Sequence, residues 1–226
     1  MNKGILLAAS AVMALGFVSC EETDGNESAS ANPTLEINSE NLTILERKIE
    51  DSQALEVFQL SVLGLLFAYE SNSSSEACDG GGSTNQTLVV DEEAGTTDLT
   101  VELQQCTSPE GMVVNGKLDY SVNSDDTTPL TGVGYLEITG LPEVTSLRYD
   151  DLSMTYLDDD SEIETNITIT SDDISGTVNY KMVTNGDVTT TTVTGANNTS
   201  FVYVNNETDY PAIETCTLNG AAVSCE

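Results

Sequence analysis

The fold this chain predicts is mainly β: a curved antiparallel sheet, an open half barrel, packed on one apolar helix. Three observations predict it. From Gln86 onward, short runs of alternating apolar and polar residues are separated by Asp, Asn and Gly clusters, the pattern of an antiparallel meander with one dry and one wet face. One segment, Gln53 to Tyr69, is apolar nearly all round, as a helix buried beneath a sheet must be. At 226 residues the chain can enclose one sizeable core. A two-sheet β-sandwich is the alternative.

Residues 1–19 read as an export leader, with Lys3, an apolar run from Ile5 to Val18, and small Ser19 ahead of Cys20. The run is shorter than the roughly 20 residues a bilayer span requires, and no later segment is long enough. Phe17-Val18-Ser19-Cys20 resembles the lipobox of bacterial lipoproteins, with Phe17 where Leu is usual. That resemblance implies cleavage after Ser19 and lipidation of Cys20, whose acyl chains, at about 0.8 kcal/mol per buried CH2, form a lasting membrane anchor. In Gram-negative lipoproteins an Asp after the lipidated Cys signals inner-membrane retention; Glu21 therefore implies the outer membrane. Glu21-Glu22 with Asp24 resembles the export tag of surface lipoproteins in Bacteroidetes-type bacteria. The expected location is the outer membrane of a Gram-negative bacterium, on its periplasmic side or the cell surface.

Residues 20–33 form the lipidated Cys and an acidic tether, rich in Glu, Ser, Asn and Ala without apolar periodicity, with a reach on the order of 20 Å. Residues 34–226 are expected to form a single β-rich domain. Leu42, Leu45 and Ile49 are spaced for a helix, while Leu35 and Ile37 before them suit a short strand equally, so this segment stays open. The main helix is expected over 53–69, capped at Asp51 or Ser52, with Leu55, Phe58, Val62, Leu66 and Tyr69 at helical spacing. Ser71 to Ser83 reads as a loop.

Strands are expected at Thr87–Val90, Leu99–Gln105, Val113–Val122, Gly134–Thr139, Leu147–Leu157, Ile163–Thr170, Ile174–Val183, Val188–Thr194 and Ser200–Val204, with a final pair around Gly220. Gly116 to Val122 and Gly176 to Met182 share G-x-[LV]-[DN]-Y-x-[VM], as a duplicated unit or as two similar strands of one meander. The run from Cys78 through Gly80-Gly81-Gly82-Ser83, Leu99 to Cys106 and Val114 to Leu118 is similar to β-rich secreted proteins of marine Gram-negative bacteria, a resemblance that implies no activity.

Composition removes several function classes. With 38 acidic residues against 6 basic ones the formal charge is -32, and loss of Lys3 with the leader makes it one unit more negative. Such a surface repels phosphate backbones, so no nucleic-acid partner is expected, and the membrane is reached through lipid instead. Self-repulsion of the carboxylates predicts a fold that gains stability in salt. Histidine is absent, which excludes Ser-His-Asp and Cys-His catalysis and His-ligated zinc. Tryptophan is absent too, which removes its broad platform for sugar rings, although eight tyrosines remain.

Beyond Cys20, four cysteines remain in an oxidising compartment: Cys78, Cys106, Cys216 and Cys225. Two disulfides are expected, and proximity favours Cys78 with Cys106 and Cys216 with Cys225. No C-x-x-C pair suggests redox chemistry. Acidic clusters at Asp91-Glu92-Glu93, Asp125-Asp126, Asp158-Asp159-Asp160 with Glu162, and Asp172-Asp173 fall between strands, and solvated hairpin tips are their first reading. Asp158, Asp160 and Glu162, at alternate positions, are the candidate ligands for calcium, the one possible cofactor. A glycosidase needs two carboxylates fixed across a sugar, and nothing in the sequence pairs any two, so no enzymatic activity is expected. The functional expectation is a non-enzymatic envelope lipoprotein, a structural or binding module displayed at the outer membrane. The alternatives are a carrier of a lipid or other apolar ligand in the half barrel and a calcium-dependent adhesin.

At the C-terminus two hairpin registers compete. A type II′ turn at Gly220-Ala221 places Cys216 directly opposite Cys225, whereas a type I′ turn at Asn219-Gly220, favoured by local propensity, places Cys216 opposite Val223. The cysteines argue for the first register.

Overall fold

The computed structural model describes residues 32–51, 73–108, 111–123, 128–141, 144–157, 160–206 and 213–225. The leader, Cys20, the tether up to residue 31 and the expected helix at 53–69 lie outside the described residues. Twelve strands form one antiparallel sheet in strict chain order: β1 (Ser73–Ala77), β2 (Ser83–Asp91), β3 (Thr96–Thr107), β4 (Val113–Asn123), β5 (Leu130–Thr139), β6 (Val144–Leu157), β7 (Asp160–Ser171), β8 (Ser175–Asn185), β9 (Val188–Thr194), β10 (Ser200–Asn206), β11 (Ile213–Leu218) and β12 (Ala221–Val223). Each strand pairs with its chain neighbours and β1 does not meet β12, so the sheet is curved but open. It is one continuous sheet instead of the two layers of a sandwich.

Alternation builds this sheet as the sequence predicts. In β4, Val114, Leu118 and Tyr120 are buried while Asn115, Lys117 and Asp119 are not. The register aligns the inward positions into a row across the sheet, from Leu88 and Leu99 through Tyr120, Gly132, Met154, Ile163 and Met182 to Thr191, Tyr203, Cys216 and Val223. Leu118, Leu147, Tyr149, Ile163, Ile167 and Val178 retain no accessible surface. The two copies of the G-x-[LV]-[DN]-Y-x-[VM] pattern lie on β4 and β8 and turn Leu118 and Tyr120, Val178 and Tyr180, into the same core.

The open segment at 42–49 is a helix, α1 (Leu42–Asp51). Asn38 starts it: its Oδ1 accepts the Glu40 and Asn41 N–H groups at 2.9 and 3.1 Å, and its carbonyl accepts from Leu42, relieving donors that a helix start leaves without partners. Leu42 and Leu45 join the core from α1 and Ile37 joins it from the chain before. That preceding segment is extended and laced to the sheet end at β8–β10: Thr34 and Leu35 donate to Thr177 O, Ala196 donates to Leu35 O, and Ile37 donates to Thr199 Oγ1. Gly195 allows this approach, since a Cβ there would sit 2.4 Å from Leu35 O. No helix among the described residues is long and apolar enough to cross a membrane.

Two expectations are corrected. The segment 71–83 is not all loop: Ser73–Ala77 is strand β1, paired with β2 from Ser73–Thr87 to Ala77–Ser83. A run of Ser-Ser-Ser-Glu-Ala carries no apolar alternation, and backbone pairing alone defines it. At the C-terminus, Asn219 and Gly220 both take positive φ, +52° and +78°, and Cys216 faces Val223, not Cys225. The type I′ turn wins because Asn219 is held on both sides: its N–H donates to Ser200 O and its Oδ1 accepts from Ser200 N–H, each at 2.8 Å. The bridge forms regardless. Cys225 lies beyond the last ladder pair, diagonal to Cys216, with the Cα atoms 5.4 Å apart, within disulfide range. Cys78 and Cys106 are bridged at the same Cα separation.

Candidate functional site

The sheet register shifts on both sides of β6 at the same point. Between β5 and β6, Gly134 faces Leu152 and Leu136 faces Tyr149; between β6 and β7, Asp150 faces Asn166 and Ser153 faces Glu164. On both sides β6 has one residue too many, a β-bulge centred on Asp150 and Asp151. Asp151 takes φ +51°, a conformation Asp tolerates better than most residues. A bulge bends its strand and re-aims a side chain, and here it directs the Asp151 carboxylate to the solvent side, where its Oδ2 accepts the Asn166 amide N–H at 2.9 Å.

Beside the bulge lies a trough of about 860 Å³ running across β5 to β9. One bank is made by Val133 and Gly134 on β5 and by Asp151 and Ser153 on β6. Gly134 itself falls in the inward row between Leu118 and Leu152, where a Cβ would come 2.1 Å from Lys117 O, so its absence lets β5 approach β4 closely behind this bank. The floor and far bank are two register rows, Glu164–Lys181–Thr192 and Asn166–Asn179–Thr194. Asn166 belongs to the polar face yet is only 5% exposed. Its Nδ2 donates to Asp151 and its Oδ1 accepts from Asn179 Nδ2, forming a carboxylate–amide–amide chain across three strands. Just beneath it, buried Thr165 donates to Asp150 O at 2.9 Å and fixes the bulge.

Lys181 donates to Glu162 Oε1 and Glu164 Oε1, both at 2.5 Å. Burial works against its charge, but the bonds to Glu162 and Glu164 outweigh it and its ammonium titrates above the ordinary lysine range. Lys117 and Arg148 are likewise paired on this face, with Asp119 at 2.9 Å and Asp150 at 2.8 Å. Arg148 also sits 5.4 Å over the Tyr135 ring, taking one face of an otherwise exposed aromatic.

Of the expected calcium ligands, Asp158 and its neighbour Asp159 lie outside the described residues. Asp160 opens β7 and its Oδ1 accepts the Gly186 N–H at 3.2 Å, while Glu162 is paired with Lys181. Among the described residues no group of three or more metal-ligating side chains converges. Asp91 at the end of β2 behaves as a turn residue, its Oδ1 accepting from Glu93 and Ala94 N–H, as hairpin-tip aspartates do. The run Thr189–Thr192 divides between the faces: Thr190 and Thr192 face Val183 and Lys181 in the polar rows, while Thr191 takes its place in the inward row.

Reading by residue type found the cysteines but missed the trough. Its signal is present in β6, where the inward apolar residues run Leu147, Tyr149, then Leu152, Met154. The spacing slips from two to three at Asp150-Asp151, and a slip within one strand is what a bulge writes into sequence. The chain matches no protein-family model, no curated protein and no solved structure.

Proposed function

We propose that this chain is a lipid-anchored envelope protein of a Gram-negative outer membrane whose sheet is a non-enzymatic binding module. The trough carries the binding part of this reading. It joins a bulged strand and a buried amide, Asn166, on the solvent face, features that cost stability in a sheet and here form a concave surface of mixed polar and apolar lining. What favours it over carriage of an apolar ligand inside the curve is the packing of the inward face. Leu118, Leu147, Ile163 and Ile167 have no accessible surface left for such a ligand to cover.

The anchor rests on Phe17-Val18-Ser19-Cys20. Cys20→Ser removes the thiol that takes up lipid, so the expected result in the native host is loss of the mature protein from the membrane pellet or retention of an uncleaved precursor. A Cys20→Ser protein that matches wild type in fractionation and electrophoretic migration would disprove the anchor. It would leave the trough untouched, because the two rest on different residues.

A further inference from the structure

Building on the reading of the trough as a binding site, we infer that its ligand is a neutral glycan chain, free of uronate, sulfate and phosphate. Anionic ligands are opposed by charge. The lining holds one cation, Lys181, and both Glu162 and Glu164 already accept from it at 2.5 Å, so it has little left to offer an anion on a chain of formal charge -32. A purely apolar ligand would lie on Val133, Leu152 and Tyr180 but would also cover the two rows of amide, hydroxyl and charged side chains without replacing their hydrogen bonds to water, whereas a sugar chain meets both kinds of lining. A basic peptide would seek free carboxylates, but Glu164 is engaged by Lys181 and Asp151 by Asn166.

What remains is chemistry for hydroxyl groups, each of which donates and accepts. The Asn166 amide uses one N–H on Asp151 and one Oδ1 lone pair on Asn179; an amide has two of each, so one donor and one acceptor remain in adjacent positions on a 5% exposed residue. Each amide atom already holds one bond, and a sugar diol can supply the second to both at once. Thr192 and Thr194 add hydroxyls along the far bank, and Val133, 54% exposed, supplies an apolar patch for the C–H face of a sugar ring on the near one. The trough crosses five strands, roughly 19 Å at the usual strand spacing, which suits an extended chain better than a single small molecule. Recognition of this kind runs through amides and hydroxyls and does not need the tryptophan the chain lacks.

The test is affinity electrophoresis of the lipidated protein in detergent through gels containing neutral xylan, mannan, laminarin or pullulan, with alginate as the anionic and poly-lysine as the cationic probe. The expected result is retardation by at least one neutral polysaccharide and not by alginate, while poly-lysine, which a chain of formal charge -32 attracts over its whole surface, retards wild type and trough variants alike. Asn166→Ala is expected to weaken that retardation about tenfold, the loss of one or two hydrogen bonds. Should Asn166→Ala fail to fold, the half-buried pair Thr192→Ala and Thr194→Ala tests the same bank, and Thr168→Ala, on the same face outside the trough, is the control that leaves binding unchanged. No retardation by any neutral polysaccharide, or retardation that the trough substitutions leave as it was, overturns the proposal. Retardation by poly-lysine or alginate that those substitutions abolish overturns the glycan while sparing the binding module; no trough-dependent binding of any probe overturns both.

Discussion

Tyr120→Ala is expected to lower the unfolding free energy by about 3–5 kcal/mol, the range for removing a large aromatic from a packed interior. Tyr120 is 2% exposed, and its register partners are Leu99 on β3 and Gly132 on β5. Gly132 brings no side chain to that pair, so the phenol ring supplies the buried volume between Leu99 and β5 and its removal leaves a cavity. A domain stability of about 5–15 kcal/mol makes such a change a large fraction of the whole. Urea titration should show the midpoint fall with an unchanged slope, the sign of lost stability without altered compactness. A drop under about 1 kcal/mol would show that the row is loosely packed at this point. Gly132→Val probes the same space from the other side and is expected to destabilise through overcrowding, by about 1–3 kcal/mol.

The inward row was legible because strand periodicity is a property of neighbouring residues. Val188–Thr194 is bounded as expected, and most other strands extend the expected cores by a few residues at their ends, where Ser, Thr and Asn pair through backbone without an apolar signature. β1 lies at the limit of this effect: Ser75 to Ala77 are exposed, so nothing in their side chains records the pairing. The C-terminal hairpin teaches a related lesson. The cysteines favour one register, but a disulfide tolerates a range of Cα separations and a diagonal placement satisfies it, while the Asn219–Gly220 turn is held by two bonds from Asn219 to Ser200 on β10, 19 residues upstream, a contact that local sequence does not reveal.

The trough was less legible for a different reason. Asp151, Asn166, Asn179 and Lys181 are spread over three strands, and only the register brings them together. Each read singly is an ordinary polar strand residue on a wet face. The phase slip in β6 is the exception, since the two-residue alternation on both sides of Asp150-Asp151 cannot serve one face without an extra residue between. The acidic runs, by contrast, were conspicuous in sequence, and two of them mark turns: Asp91 caps the bend after β2 and Asp172 and Asp173 occupy the bend between β7 and β8, whereas Asp160 and Glu162 lie on β7 itself.

Removing the Cys78–Cys106 bridge, by Cys78→Ser with Cys106→Ser, is expected to cost more than removing the Cys216–Cys225 bridge by the matching pair of substitutions. The first joins residues 28 apart and the second residues 9 apart. On loop-closure entropy these separations correspond to about 3.6 and about 2.6 kcal/mol of constraint on the unfolded chain. The two losses also differ in place. Cys78 closes the turn between β1 and β2, where its N–H donates to Gly82 O, and Cys106 follows the β3 irregularity between Leu103 and Cys106. The bridge therefore ties β1, which among the described residues pairs only with β2, to the third strand of the sheet. Without it β1 has a single ladder and little buried surface, so its amides should exchange with solvent well before those of β4 to β8. At the other edge β12 is three residues long, and its release exposes only β11. Thermal melts of the two double variants, with hydrogen exchange resolved by peptide, decide the matter. Equal destabilisation by both pairs, or β1 amides as protected without the bridge as with it, would show that β1 is held by its ladder and not by the disulfide.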